Sequence, residues 1–221
     1  MTVKTLGLWL SAGWVLAACM SAPAPIDGKQ TSADIDACAT AETIGQFDPK
    51  KDLFLAQFDI KTDTDDLHAA AAVATILAHP RFACVEYAAV SGTYGTQGGK
   101  YVDPDTLFEN AFGNNWVDAH ERKAAAAAEL AARARPVLAN GGHVWIMEGG
   151  QSDVSAETLR QILASSDSDT VASRFHIVQQ SDWNEQVTTS EDLAFVQSTA
   201  DYIKIPDGNA TGNGTPGFRT P

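Results

Sequence analysis

The chain has 221 residues, 44% of them hydrophobic and 19% charged, and a formal net charge of −13 at neutral pH. Nucleic acid is disfavoured as a partner, because binding it needs clustered Lys and Arg that release counterions from phosphates, and no such cluster occurs. The same acidity argues against polybasic attachment to lipid headgroups, and the length suits one α/β domain with a proper core rather than two.

The opening residues read as a targeting segment. Lys4 supplies a positive charge, residues 6–16 are apolar but too short to span a membrane, and small residues precede Cys19. Leu16-Ala17-Ala18-Cys19 resembles a bacterial lipobox. That resemblance implies cleavage before Cys19, lipid on its sulfur and new amino group, and a place in the bacterial cell envelope, held to the membrane through the lipid alone. The alternative is an ordinary secretory peptide that leaves a free thiol. The organisation expected is a signal peptide over 1–18, a lipidated cysteine and tether over 19–50, and a domain over 51–221. Cys38 and Cys84 are the two cysteines left over. In an oxidising compartment they form either a disulfide that pins the tether to the core, or a free thiol and a small buried hydrophobe in the second strand.

Residues 53–60 read as a buried strand, and from Leu67 to about His79 the sequence becomes an alanine-rich helix. Between them lie Asp59, Asp63, Asp65 and Asp66. So many carboxylates in eight residues call for a cation or for backbone N–H groups, and hard oxygen ligands suit calcium or magnesium. Helix capping would account for Asp65 and Asp66 but leaves Asp59 and Asp63 unexplained.

Pro80 ends the helix, residues 83–90 give a second strand, and residues 91–99 form a glycine-rich loop without GxGxxG spacing. Residues 105–135 are mostly helical, with an interruption near Gly113, and Pro136 is expected to break the helix. A third strand over 143–147 leads into Glu148-Gly149-Gly150-Gln151-Ser152-Asp153 and a helix over 155–164. A fourth strand spans 174–179, Ser190 is placed to N-cap a further helix, and 201–205 is a candidate fifth strand. Residues 207–221 lack a core-forming pattern. Alternation of this kind predicts an α/β fold, a mainly parallel Rossmann-like sheet with helices on both faces and its polar loops along one edge.

The strand ending in Phe58-Asp59, the cluster Asp59-x3-Asp63-x-Asp65-Asp66, the Ser91-Gly92 loop and the Glu148–Asp153 loop together resemble the inosine-uridine nucleoside hydrolase superfamily, and more closely its secreted nucleoside-hydrolase-like branch. The resemblance implies a calcium ion on Asp59, Asp63, Asp65 and Asp66, with a backbone carbonyl from Ser152. Asp59 would serve as base, and Thr93, Asp182, Asn184 and Glu185 would face a nucleoside or sugar. His68 is the nearby candidate acid. The chain departs from the family in Lys61-Thr62 after the strand, in Thr93 where the enzymes carry asparagine, and in having no counterpart of their late histidine and aspartate. Three expectations follow: a metal-dependent hydrolase of N-ribosidic or glycosidic bonds, a non-catalytic nucleoside- or sugar-binding lipoprotein, or a piece of a longer chain that completes the site.

Overall fold

The structure, a computed structural model, describes residues 38, 41–61 and 65–207. Cys19 and Asp63 lie outside the described residues. Six strands, β1 (Leu53–Gln57), β2 (Glu86–Ser91), β3 (Trp116–Asp118), β4 (Val144–Glu148), β5 (Phe175–Gln180) and β6 (Asp201–Ile205), form one sheet in the order β3-β2-β1-β4-β5-β6. Every pairing is parallel. The described helices are α1 (Asp65–Leu77), α2 (Asp105–Phe112), α3 (Lys123–Ala139), α4 (Asp153–Leu163), α5 (Ser168–Arg174), α6 (Asp182–Val187) and α7 (Ser190–Thr199). This is a Rossmann-like α/β sheet.

Apolar residues on both sides of each central strand dictate the layering. Phe58, Ala70 and Val73 of the α1 side and Phe108 and Phe112 of α2 build a core on one face of β1 to β3. Leu55, Ile146 and Ile177 face the other way, where Leu130 of α3, Leu159 and Ile162 of α4 and Val196 of α7 cover them. Strand order reverses between β1 and β4, so the crevice at their carboxyl ends is the place where such a sheet binds ligands.

Four sequence expectations change. The first strand stops at Gln57, because Ile60 takes a left-handed φ of 55° and turns the chain away. Cys84 precedes β2 instead of lying within it. It follows the 3-10 turn Pro80–Phe82 and is disulfide-bonded to Cys38, with the Cα atoms 5.2 Å apart. Pro136 sits inside α3, near its end, where buried Val137 and Leu138 hold the last turn against the sheet. The residue flanking α7 is Thr189 and not Ser190. Its hydroxyl and N–H both go to Asp153, so it provides no side-chain cap. Residues 44–50 form a local turn, with an Ile44–Phe47 bridge and the Asp48 N–H donating to Asp52, and Ile44, Gln46 and Phe47 border a groove together with Phe54 and Trp145 of the sheet. Among the described residues no helix is long and apolar enough to cross a membrane.

Candidate functional site

A cleft of about 570 Å3 opens at the switch point. Asp59, Asp65 and Asp66 line it from the β1–α1 turn, Gly149 from the end of β4, and Ser181, Trp183 and Asn184 from the turn after β5 and the start of α6. Gln97 and Gly98 of the glycine-rich loop close one side.

At its base the carboxyl groups of Asp59 and Asp66, 7% and 8% exposed, lie side by side and interact. Asp59 accepts the Lys61 N–H at 2.8 Å and the Gln151 amide N–H at 3.0 Å, while Asp66 accepts the Ile60 N–H at 3.0 Å. Burial pushes both carboxyl groups above the usual range, and for Asp66 the charge on Asp59 adds to it. The greater number of donors favours charge on Asp59, so the proton between them belongs to Asp66. Asp65 does what a first-turn aspartate does, accepting the N–H of Asp66. Asp66 instead reaches back to Ile60 in the turn after β1, which helix capping does not explain. The buried, β-branched Ile60 between them is held at a φ of 55°, and Ser181 across the cleft at 69°. Backbone strain of this kind concentrates where a site needs a fixed geometry.

Lys61 lines the cleft but directs its ammonium to the Gln97 carbonyl at 2.9 Å and over the Tyr94 ring at 3.6 Å, so its charge anchors the glycine-rich loop. Asn184, 3% exposed, donates to the Gly149 carbonyl at 2.9 Å and accepts from Gln151 at 3.1 Å. Trp183 stands 48% exposed among the lining residues, an apolar plate of the kind on which a sugar ring stacks.

The structure separates other residues from this group. Asp182 and Glu185 turn to β6, where both meet Lys204 and Glu185 also accepts from Tyr202. His68 is exposed on α1 and is absent from the cleft lining. Thr93 is fully buried below the cleft, tied to the Phe58 carbonyl through its N–H and to the Gln151 N–H through its carbonyl. The Ser152 carbonyl accepts the Ala156 N–H in the first turn of α4, and its hydroxyl joins Glu148 and Gln179, so it is committed away from the acidic pair.

Gln151 and Glu148 were visible in the sequence only as parts of a polar loop. Polar side chains ending otherwise apolar strands were the available signal, and Gln57, Glu148 and Gln179 all follow it, fully buried. Gly150 is needed for a close approach. A Cβ there would overlap the Thr93 carbonyl and lie 3.0 Å from Asp59 Cβ. Gly150→Ala is therefore expected to cost about 2 kcal/mol by overpacking, measured by urea unfolding; a loss within error would show that the turn yields freely.

Asp59, Asp65 and Asp66 offer oxygen only, which fits a hard cation, and the Thr93 hydroxyl, bordering the same glycine, is buried without a partner. Among the described residues, however, no three His, Cys, Asp or Glu side chains are arranged as a metal cage. A calcium shell of six to eight oxygens would draw most of its ligands from water and from ligand hydroxyls. No protein-family model, curated protein or solved structure matches the chain.

Proposed function

We propose that the cleft binds a nucleoside or sugar through its hydroxyl groups and hydrolyses the N-ribosidic or glycosidic bond. The observation that carries this reading is the buried Asp59–Asp66 pair at the switch point, where dinucleotide-binding proteins of this topology place glycines and a pyrophosphate. Carboxylates in that turn repel phosphate and accept hydrogen bonds from hydroxyls, which selects a neutral polyol over a nucleotide. Asp59, the better hydrogen-bonded and more readily ionised of the two, takes a proton from water, and Asp66 fixes its orientation. Asp59, Asp65 and Asp66 would hold a calcium ion, which when bound lowers the pKa of a coordinated water. Trp183 stacks on the sugar and Asn184 sets the height of the cleft floor through Gly149.

A second reading, binding without turnover, is favoured by a specific observation. Glycosidases that divide acid and base between two carboxylates hold them at least about 5 Å apart, whereas Asp59 and Asp66 lie close enough to titrate as one pair. His68, the residue expected to protonate a leaving group, is outside the cleft lining, and Asp182 and Glu185, expected to face the substrate, turn to β6.

The two readings separate in one experiment on the full chain, with inosine, uridine and p-nitrophenyl glycosides, in calcium and in chelator. A hydrolase releases base or nitrophenol, and Asp59→Asn lowers the rate about a hundredfold, as loss of a general base does. A binder shows a ligand-dependent rise in unfolding midpoint with no release. Neither signal with any compound would remove both.

A further inference from the structure

Over β4, β5 and β6 the face of the sheet that carries α1 opens into a groove of about 590 Å3, within the range of small-ligand sites. Phe54, Trp145, Met147 and Val178 are in its lining, Ile76 and Leu77 of α1 form a wall, and Ile203 of β6 lies at the open edge, 40% exposed. Gln46 is the sole amide or charged side chain among the lining residues. The Trp145 indole N–H is already bonded to Asp52 at 3.1 Å and its ring stacks on His176 at 3.9 Å, so the ring is held in place before any ligand arrives.

Two observations identify the occupant. The lining side chains offer almost no polar groups and a hydrocarbon chain needs none, whereas a protein segment would have to find partners for its own polar groups outside the lining, on the outer edge of β6. The chain also enters the domain beside this groove. Cys84 lies between Phe82 and Val85, which both line it, and its disulfide partner Cys38 is the point to which residues 19–37 lead. Fully extended, that stretch spans roughly 65 Å, so a lipid on Cys19 would hold the groove within that distance of a bilayer. We propose that the groove binds a single acyl chain of a membrane lipid. Its chemistry rests on the lining alone; the membrane as source rests on lipidation of Cys19.

The test is fluorescence quenching of the full chain, as wild type and as Cys19→Ser, by lysophosphatidylcholine carrying a 9,10-dibromostearoyl chain below its micellar concentration. Saturable quenching at one probe per protein is expected in both, abolished in Trp145→Phe. The half-saturation concentration is expected to rise about tenfold in Ile203→Glu, a substitution at an exposed position that leaves the core intact. Quenching that never saturates, or that is indifferent to Ile203→Glu, would overturn the proposal. So would a dimer that Ile203→Glu dissociates while the probe leaves Trp145 unquenched, since the groove would then belong to a second copy. The mass of the mature protein reports lipidation of Cys19 independently, so failure of the anchor and failure of the groove are read apart.

Discussion

Replacing Gln151 by leucine is expected to cost about 5 kcal/mol and to disconnect the two sides of the cleft. The side chain is fully buried and uses its whole amide. Its oxygen accepts the Gly95 N–H at 3.0 Å, and because a backbone N–H can only donate, the orientation of the amide is fixed. Its nitrogen must then donate both protons, one to Asp59 and one to Asn184, at 3.0 and 3.1 Å. Leucine fills a similar volume but takes one of its two N–H donors from Asp59, which keeps the Lys61 N–H, and leaves the Asn184 side-chain carbonyl and the half-buried Gly95 N–H without their partner, each loss costing about 1–3 kcal/mol. The sum approaches the whole stability of an ordinary domain, so urea unfolding should find the variant at the edge of folding. Gln151→Glu separates loss of shape from loss of the donor. It keeps the shape and places a third carboxyl beside Asp59, so its deficit should grow with pH, whereas that of leucine should follow the wild-type trend. A deficit below about 1 kcal/mol for leucine would mean that the amide holds nothing together.

Much of this arrangement was legible in the sequence, and the reason is periodicity. Leu53 to Ile60, Val144 to Met147 and Phe175 to Gln179 are apolar runs bounded by turn residues, which parallel strands buried on both faces produce. The acidic turn after the first of them was legible too, because carboxylates next to a buried strand are costly and therefore conspicuous. What escaped was decided by tertiary contact. Strand β3 has only three residues, too few for any period to show, and it forms because Ala89 and Ser91 of β2 offer it an edge. Helix α6 reads as a turn, since six residues with Asp182, Asn184 and Glu185 have no apolar face; Ser181 starts it by accepting the Asn184 N–H. The same short helix decides which of its polar residues reach the cleft. One turn of helix puts Asp182 and Glu185 on the side of Lys204 and leaves Trp183 and Asn184 on the side of Gly149. Sequence spacing alone treats all four alike.

Stability in chelator is expected to fall by about 3 kcal/mol as pH rises from about 4.5 to above 7, through one residue that never meets ligand. Glu148 ends β4 wholly buried, accepting hydrogen bonds from Ser155 at 2.5 Å and Ser152 at 2.7 Å. Burial nevertheless pushes its carboxyl up to about 7 from an ordinary 4.5, because two hydroxyls replace far less than a shell of water. Raised in the folded state, it binds more protons there than in the unfolded chain. Its contribution is therefore complete below about 4.5 and lost as pH climbs through 7. Asp59 and Asp66 are displaced in the same direction and steepen the slope. Glu148→Gln keeps the shape, and rotating serine hydroxyls can serve an amide as well as an acid. The variant should lose part of the slope and exceed wild type in stability at pH 8. Glu191→Gln removes the same charge from an exposed site, which controls for the general repulsion in a chain of net charge −13. Urea titrations at pH 4.5, 6 and 8 decide the matter. If Glu148→Gln and Glu191→Gln flatten the slope equally, the effect lies in net charge and not in the buried acid. If only Glu148→Gln does, then the polar layer beneath the cleft holds a proton at neutral pH, and that layer, more than the exposed carboxylates, sets the pH range in which the site keeps its shape.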